Sequence, residues 1–442
     1  MAHALDRYIT EWTRAAQFRQ HRSEALARTR EEALHQFLSL GFPTTHEEEW
    51  RFTSVAPIAE RTFTLAASPC ADAAAVNVAP FRLAGALAAE LVFVNGRYVP
   101  ALSRPSALRG SRVESLASSL AASDEAIESH LARIAPFERH PFVALNTAFL
   151  DDGAYVRVPD GAVLQEPVHL LFVATNPPDG ASIMLHPRVL VELGVNSQAA
   201  IVETYAGPAG VAYFTNTVTE IVLAENAVLD HYKLQYEGLE ASHVGATHVR
   251  AQRSATYASH AVSLGGALAR NEVVAVLNGE GVECTLNGLY AADAQRLVDN
   301  HTTIDHAQPH CGSREIYKGI LANRARGVFN GKIIVRADAQ KTDAKQTNRA
   351  LLLSEDAQIN TKPQLEIFAN DVKCTHGAAV GQLDDEALFY LRSRGLSDAA
   401  ARQLLIHAFA ADVLNRLPLE LIRAGVEGRL KRQLAQALPI AA

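Results

Sequence analysis

Apolar residues recur at three- and four-residue steps through the first forty positions. Leu5, Tyr8, Ile9, Trp12, Ala15 and Ala16 form one such series, and a second covers roughly residues 22–39. That period is helical, and Gly41 and Pro43 end it. "ELVFVNGRYVP" then sets Asn95-Gly96 between strand-forming runs, a two-residue hairpin signal, and residues 124–136 return to the helical period. From about residue 141 the texture changes: short strand-like runs follow one another with almost no helix for roughly 240 residues. Beyond residue 382 the pattern is helical again. Asp384 or Asp385 can cap a helix through Leu391, and Gly395 can stop it. Ser397 can cap a second helix, in which Leu404, Leu405, Ala408, Phe409, Leu414 and Leu417 make a broad apolar face ended by Pro418. A last segment, "LELIRAGVEGRLKRQLAQAL", follows. The expected layout is a mostly helical region with a hairpin over 1–140, a β region over 141–382 and a helical region over 383–442.

Within the β region one phrase returns: "VELGVNSQAAIVE" (191–203), "IVLAENAVLDHYK" (221–233), "AVLNGEGVECTLN" (275–287) and "LLLSEDAQINTKP" (351–363). Each carries a leucine (Leu193, Leu223, Leu277, Leu353), then a polar residue (Asn196, Asn226, Glu280, Asp356), then a small one (Ser197, Ala227, Gly281, Ala357). A strand, a tight polar corner and a second strand form the unit of a solenoid, whose coils bury their inward residues against each other. Asn, Asp and Gly suit such corners because they tolerate left-handed backbone angles. The leucines are unevenly spaced, so a β-sandwich with similar hairpins remains the other architecture.

Composition narrows the function classes. The chain has 442 residues, 48% of them hydrophobic and 20% charged, with a formal net charge of −7. Such a balance argues against a general nucleic-acid binder, which needs a basic face. The charged opening stretch lacks the apolar core of a signal peptide, and no run of eighteen apolar residues predicts a membrane span. Cys70, Cys284, Cys311 and Cys374 form no CxxC pair, so a reducing cytoplasm is expected rather than a disulfide framework. There is no GxxxxGK[ST] loop, no GxGxxG in a βαβ setting and no GxSxG elbow.

Two stretches could carry chemistry. In "DVKCTHGAAVGQ", Cys374 and His376 stand two apart, so in a strand they share a face with Thr375 opposite. Thiolate and imidazole both suit zinc or iron, which makes the pair half of a metal site; a buried thiol beside a hydrogen-bonded histidine fits equally. "HTTIDHAQPHC" gathers His301, Asp305, His306, His310 and Cys311 without a recognised zinc spacing; turn residues are the plainer account.

Residues 328–396 carry "AQKTDAKQTNRALLLS", "KPQLEI", "DVKCTHGA" and "FYLRSRG", and together these closely resemble the SufD family of iron–sulfur cluster assembly proteins. "HAQPHCGSREIYKGIL" (306–321) and "EEEWRFT" (47–53) fit the same family. The paralogous SufB-like chains carry an "EHEAT"-like stretch where this one reads "CTHGAA". Ala378-Ala379 depart from the expected Ala then Thr after Gly377. The resemblance implies a right-handed parallel β-helix flanked by N- and C-terminal helical domains. It also implies a scaffold of a SufBCD-type complex, without catalysis of its own, paired with a SufB-like chain and docking a SufC-like ATPase. His376 aligns with the family's functional histidine and Cys374 with the cysteine beside it, so the resemblance makes both cluster-assembly residues and metal ligands shared with the partner chain. Phe389, Tyr390, Arg394, Phe409 and Leu414 are the residues expected to dock the ATPase. No stably bound cofactor is expected on this chain alone, only transient iron or a nascent cluster in the complex; a homodimer is expected in isolation. A β-helical carbohydrate-active enzyme is the alternative, but no row of acidic residues along one groove supports it.

Overall fold

Between Gly153 and Gly381 the chain winds into about seven coils, each giving one strand to each of two sheets around a shared core. The computed structural model describes residues 2–17, 23–66, 73–106, 108, 110–122, 125–177 and 180–437, which leaves Cys70 outside the described residues. In the first sheet Arg188–Leu193, Tyr213–Leu223, Ser242–Ala251, Leu268–Leu277, Leu297–His306, Arg326–Val335 and Gln358–Ile367 stack in that order. In the second, Val168–Val173, Gln198–Ala206, Val228–Tyr236, Thr256–Ser263, Glu283–Ala292, Gly312–Leu321, Asp343–Leu352 and Lys373–Gly381 do the same. Every one of these pairings is parallel, as coiling in one direction requires. The architecture is a parallel β-helix, and the sandwich alternative is excluded.

The repeated phrase marks its corners. Three of the four copies lie where the chain leaves the first sheet for the second. "LLLSEDAQINTKP" instead joins Asp343–Leu352 of the second sheet to Gln358–Ile367 of the first. Two different corners, and further corners with other residues, account for the uneven leucine spacing. At the first corner Asn196, Asn226, Ser254, Gly281, His310 and Lys341 all take positive φ. Each donates its backbone N–H to a carbonyl of the following coil, on Glu225, Arg253, Glu280, Pro309, Gln340 and Asp371 respectively. The next residue along, Ser197, Ala227, Ala255, Val282, Cys311 or Thr342, is buried in every case. A buried residue after a left-handed one is thus the rule at this corner; in the third copy the left-handed residue is Gly281 rather than Glu280, and in the fourth Asp356 does not take positive φ.

Helices flank the coils as the apolar period predicts. Ala2–Ala16 and Glu24–Leu40 are helical, the latter capped by the Ser23 hydroxyl. The Asn95-Gly96 hairpin joins Ala89–Val94 to Arg97–Tyr98. Tyr8, Phe37, Phe42, Trp50 and Phe142 pack with Phe214, Val244, Leu268 and Val328, fixing the N-terminal region to the first sheet. Two expectations are corrected. The helix expected over 124–136 stops at His130, because the N–H groups of Ala132, Ile134 and Ala135 turn to the buried Glu220 carboxylate, which also pairs with Arg188. A helix expected nowhere spans Pro141–Ala148: Pro141 starts it, and all of its side chains are buried, so no amphipathic period is visible.

In the tail, Asp385–Ser393 and Asp398–Leu414 are capped by Asp384 and Ser397, and Gly395 takes the left-handed conformation between them. The buried stripe of the second helix is Ala401, Ile406, Ala410, Val413 and Leu414. Leu404 and Ala408, expected on the apolar face, are exposed instead. With Leu417 and the third helix, Glu420–Ala437, this stripe covers the outer face of the second sheet at Tyr232, Leu234, Val262, Leu289 and Ile320.

The corner rule predicts that Asn226→Val, a β-branched residue forced to positive φ, destabilises the fold by about 1–2 kcal/mol, and that Asn226→Gly costs less. Urea unfolding of the two variants checks the order; equal midpoints contradict it.

Candidate functional site

Strand alternation decides what lies inside the β-helix. In Asp343–Leu352, Ala344, Gln346, Asn348 and Ala350 are buried while Lys345 and Arg349 are exposed. Lys373–Gly381 pairs with this strand in parallel, Ala344 opposite Cys374 and Gln346 opposite His376. Registered residues of a parallel pair project to the same face, so Cys374 and His376 continue two inward columns. Lys373–Gly381 and Gln358–Ile367 end their respective sheets. The inner face of the last coil is therefore open to solvent, His376 is exposed, and Ile367, Phe368 and Val380 of the same coil are exposed apolar groups.

The two candidate residues have different surroundings. Cys374 is half-buried against an apolar cluster of Ile333, Val335, Ala339, Ala344 and Ala369. Burial raises its thiol above the usual range, with the Asp343 charge adding to the effect and the Ala344 backbone opposing it. Such a thiol is a poor nucleophile. Beneath His376, Gln346 donates through Nε2 to Glu315 Oε2 at 2.7 Å, and both side chains are buried. Burial pushes the Glu315 carboxyl up to about 7, against the lowering effect of hydrogen bonds from Thr302 and Gln346. Among the described residues no three His, Cys, Asp or Glu side chains are grouped to hold a metal ion.

"HTTIDHAQPHC" does not converge. His310 and Cys311 are corner residues, and the Cys311 thiol lies 3.3 Å from the Gly279 carbonyl. Asp305 pairs with Arg336 at 2.6 Å, and His306 points inward to the Ser313 hydroxyl at 3.0 Å. His301 faces outward, as Asp305 does, but sits between Asp299 at 3.0 Å and Glu49 at 3.3 Å. Burial alone would lower His301, but Asp299 and Glu49 raise it overall. This is the work of "EEEWRFT": Trp50 stacks on Arg270 at 3.8 Å, Thr53 donates to Asp299 at 2.6 Å, and Glu48 meets Lys362. The motif clamps the N-terminal region across successive coils beside a cleft of about 500 Å³.

Of the tail residues, Phe389 and Tyr390 are exposed, and the Arg394 guanidinium lies 5.1 Å from the Tyr390 ring centroid. Phe409 and Leu414 are placed otherwise. Lys318 donates to the Phe409 carbonyl at 3.0 Å and lies over its ring, and Leu414 is fully buried in the cluster beneath the tail. Both residues hold the tail to the β-helix, and Leu414, expected to dock the ATPase, is fully buried in this chain. Gln346 and Glu315 went unnoticed in the sequence. Gln346 lies in "TDAKQTNRALL" and Glu315 in "GSREIYKGIL", and neither stretch tells which of its two faces is the inner one.

Fold and site together define a β-helical protein whose candidate residues lie on an unfinished coil. A family model of the SUF system FeS cluster assembly SufBD core domain matches residues 174–409, and one of the SufBD protein N-terminal region matches residues 3–170. The chain is 36% identical over 403 residues to an iron–sulfur cluster assembly SufBD family protein of Synechocystis, covering 89% of this chain and 87% of that one. With the iron–sulfur cluster assembly protein SufD of Escherichia coli it shares 33% identity over 406 residues, 91% of each chain. With SufD of Bacillus subtilis the identity is 26% over 308 residues, 67% of this chain and 68% of that one. The chain belongs to the SufBD family of iron–sulfur cluster assembly proteins and is of the SufD type. Among the described residues no helix is long and apolar enough to cross a membrane.

Two outcomes follow from the site's electrostatics. At pH 7.5 iodoacetamide alkylates Cys374 several-fold more slowly than a small-molecule thiol, read by mass spectrometry of its peptide; an equal rate contradicts the raised thiol. Glu315 ionises near its ordinary 4.5 when unfolded but near 7 when folded. It therefore costs stability as pH rises through that window, up to about 3 kcal/mol. Glu315→Gln gains stability over the parent protein at pH 8 and much less at pH 4; a gain independent of pH contradicts the assignment.

Proposed function

We propose that this chain is a scaffold subunit of a SufBCD-type complex, without catalysis of its own. Its open β-helix end pairs with a SufB-like chain, and its tail docks a SufC-like ATPase. The observation that carries this reading is the last coil, where the inward columns end on Cys374 and His376 with no further coil above them. Edge strands left unpaired are templates for another strand, and Ile367, Phe368 and Val380 give that edge an apolar rim. A partner's coil laid on this edge buries the rim and brings its own ligands over His376. Iron and sulfide are cargo in this scheme, held transiently between two chains rather than stably on one. His376 supplies an imidazole to that shared site. Cys374, with its raised thiol, supplies a ligand only once a cation or the partner's charge draws its proton off. Alone, the chain pairs through the same end as a homodimer.

On the tail, Phe389 and Tyr390 with Arg394 form the exposed surface for the ATPase, whose hydrolysis this chain, without a phosphate-binding loop, does not share. The work takes place in the cytoplasm, with no membrane or nucleic acid involved.

Anaerobic affinity purification of the tagged chain from its own cells recovers a SufB-like chain and a P-loop ATPase if the scaffold reading holds. Recovery of the chain alone contradicts it. In the purified complex His376→Ala leaves folding and partner recovery intact and lowers iron and sulfide loading by roughly tenfold or more, the scale of losses at metal sites. Loading equal to the parent complex removes His376 from the site.

A further inference from the structure

The inward column that ends on His376 can be followed down the β-helix coil by coil. His376 registers with Gln346, Gln346 with Glu315, Glu315 with Leu286, Leu286 with Ser259 and Ser259 with His231. Successive members lie one strand spacing apart, about 4.8 Å. Three polar residues therefore stand one above another at the open end, resting on Leu286, which is fully buried.

The middle member is held from two sides. Its amide nitrogen donates to Glu315 Oε2 at 2.7 Å. Opposite it, Gly331 leaves the space the amide occupies: a Cβ at that position would lie 2.2 Å from Gln346 Nε2 and 2.7 Å from the Phe329 ring. Gln346 is 2% exposed, yet its amide oxygen has no hydrogen-bond partner among the described residues. A buried amide acceptor without a donor is costly, and the adjacent inward residue one coil above is an imidazole, which always carries at least one N–H.

We propose that Gln346 is the positioning residue for His376. Its amide oxygen accepts one ring N–H, and the Glu315 carboxyl below fixes the amide's orientation. Glu315 Oε2 accepts from the amide whether or not the carboxyl is protonated, so burial, which keeps its proton on up to about pH 7, does not disturb the arrangement. With one nitrogen of His376 engaged inward, the tautomer is set and the other nitrogen keeps its lone pair toward the open end. Histidines that bind metals are oriented by such a bond from the second nitrogen. The benefit to cluster assembly rests on the scaffold reading above; the bond between Gln346 and His376 does not.

The test uses the full chain with ring-¹⁵N-labelled histidine, the His376 signals being assigned by their loss in His376→Ala. In the parent protein the two ring nitrogens of His376 are distinct, as a single tautomer requires. Gln346→Leu removes the acceptor and moves them toward the averaged pattern of a free imidazole. Gln346→Glu keeps an oxygen in place and restores the single tautomer. Should Gln346→Leu fail to fold, Gln346→Asn, which withdraws the amide by one methylene, provides the same comparison. An unchanged His376 pattern in the folded Leu or Asn variant overturns the inference, whatever partners the chain has. In the assembled complex the same variants lower iron and sulfide loading several-fold with partner recovery intact, and Gln346→Glu retains it. Full loading in a Gln346→Leu complex overturns the functional part of the inference. Full loading in His376→Ala removes His376 from the shared site instead, and recovery of the chain alone overturns the scaffold reading.

Discussion

A parallel coil cannot satisfy its own backbone. Every strand of the β-helix leaves its N–H and C=O groups to the coils before and after it, and unpaired buried backbone groups are among the costliest defects a fold can carry. Strict register follows from that demand, and the corner residues keep it. The left-handed turn at Asn196, Asn226, Ser254, Gly281, His310 and Lys341 returns the chain to the same height each time and hands one N–H to the next coil. Register in turn stacks side chains into columns, so an inward position in one coil is inward in all. The position of His376 above Gln346 and Glu315 is a consequence of this stacking, set by backbone pairing many residues away.

The interior so formed is not uniformly apolar. Near its closed end Glu203 lies 2.8 Å from His231, Glu237 lies 2.8 Å from His243, and Lys233 donates to Asn271 at 2.8 Å. Buried charges survive when each has a partner, and here Glu203 meets His231 across neighbouring coils while Glu237 meets His243 at one corner. Toward the open end the balance changes. Glu315 has an amide rather than a cation beside it, its carboxyl is pushed upward, and Gln346 keeps a free oxygen. The incompletely satisfied polar groups of the interior at this end thus lie directly beneath the unfinished coil.

Much of this was legible in the amino-acid order. The helical periods, the Asn95-Gly96 turn, the caps Asp384 and Ser397 and the recurrent corner phrase are local signals, each recorded within a few residues. The motif "DVKCTHGA" pointed to the last strand, and alternation put Cys374 and His376 on one face. What was hidden depends on distance. Nothing near Glu220 says that it will take the N–H groups that would have extended the preceding helix. Nothing near Leu404 shows that the tail's buried stripe passes through Ile406 and Val413 instead. Pro141–Ala148 is buried all round and so has no period to read. The place of His301 was hidden because Glu49 reaches it from the N-terminal region, although Asp299 stands only two residues before it on the same strand.

The strand Gly312–Leu321 has one more property, a mechanical one. Its inner side carries Glu315, and its outer side carries Lys318, which is almost fully buried and grips the tail through the Phe409 carbonyl and the Asp412 carboxylate, both at 3.0 Å. Only Ile316 and Tyr317, in extended backbone, lie between the two. Parallel β-structure is stiff along the strand, and neighbouring coils lock this one on both sides. A load applied to the tail is therefore not absorbed at a hinge there; it passes into the coil that supports Gln346. The Lys318 contacts thus tie the tail to the same strand that carries Glu315 beneath Gln346.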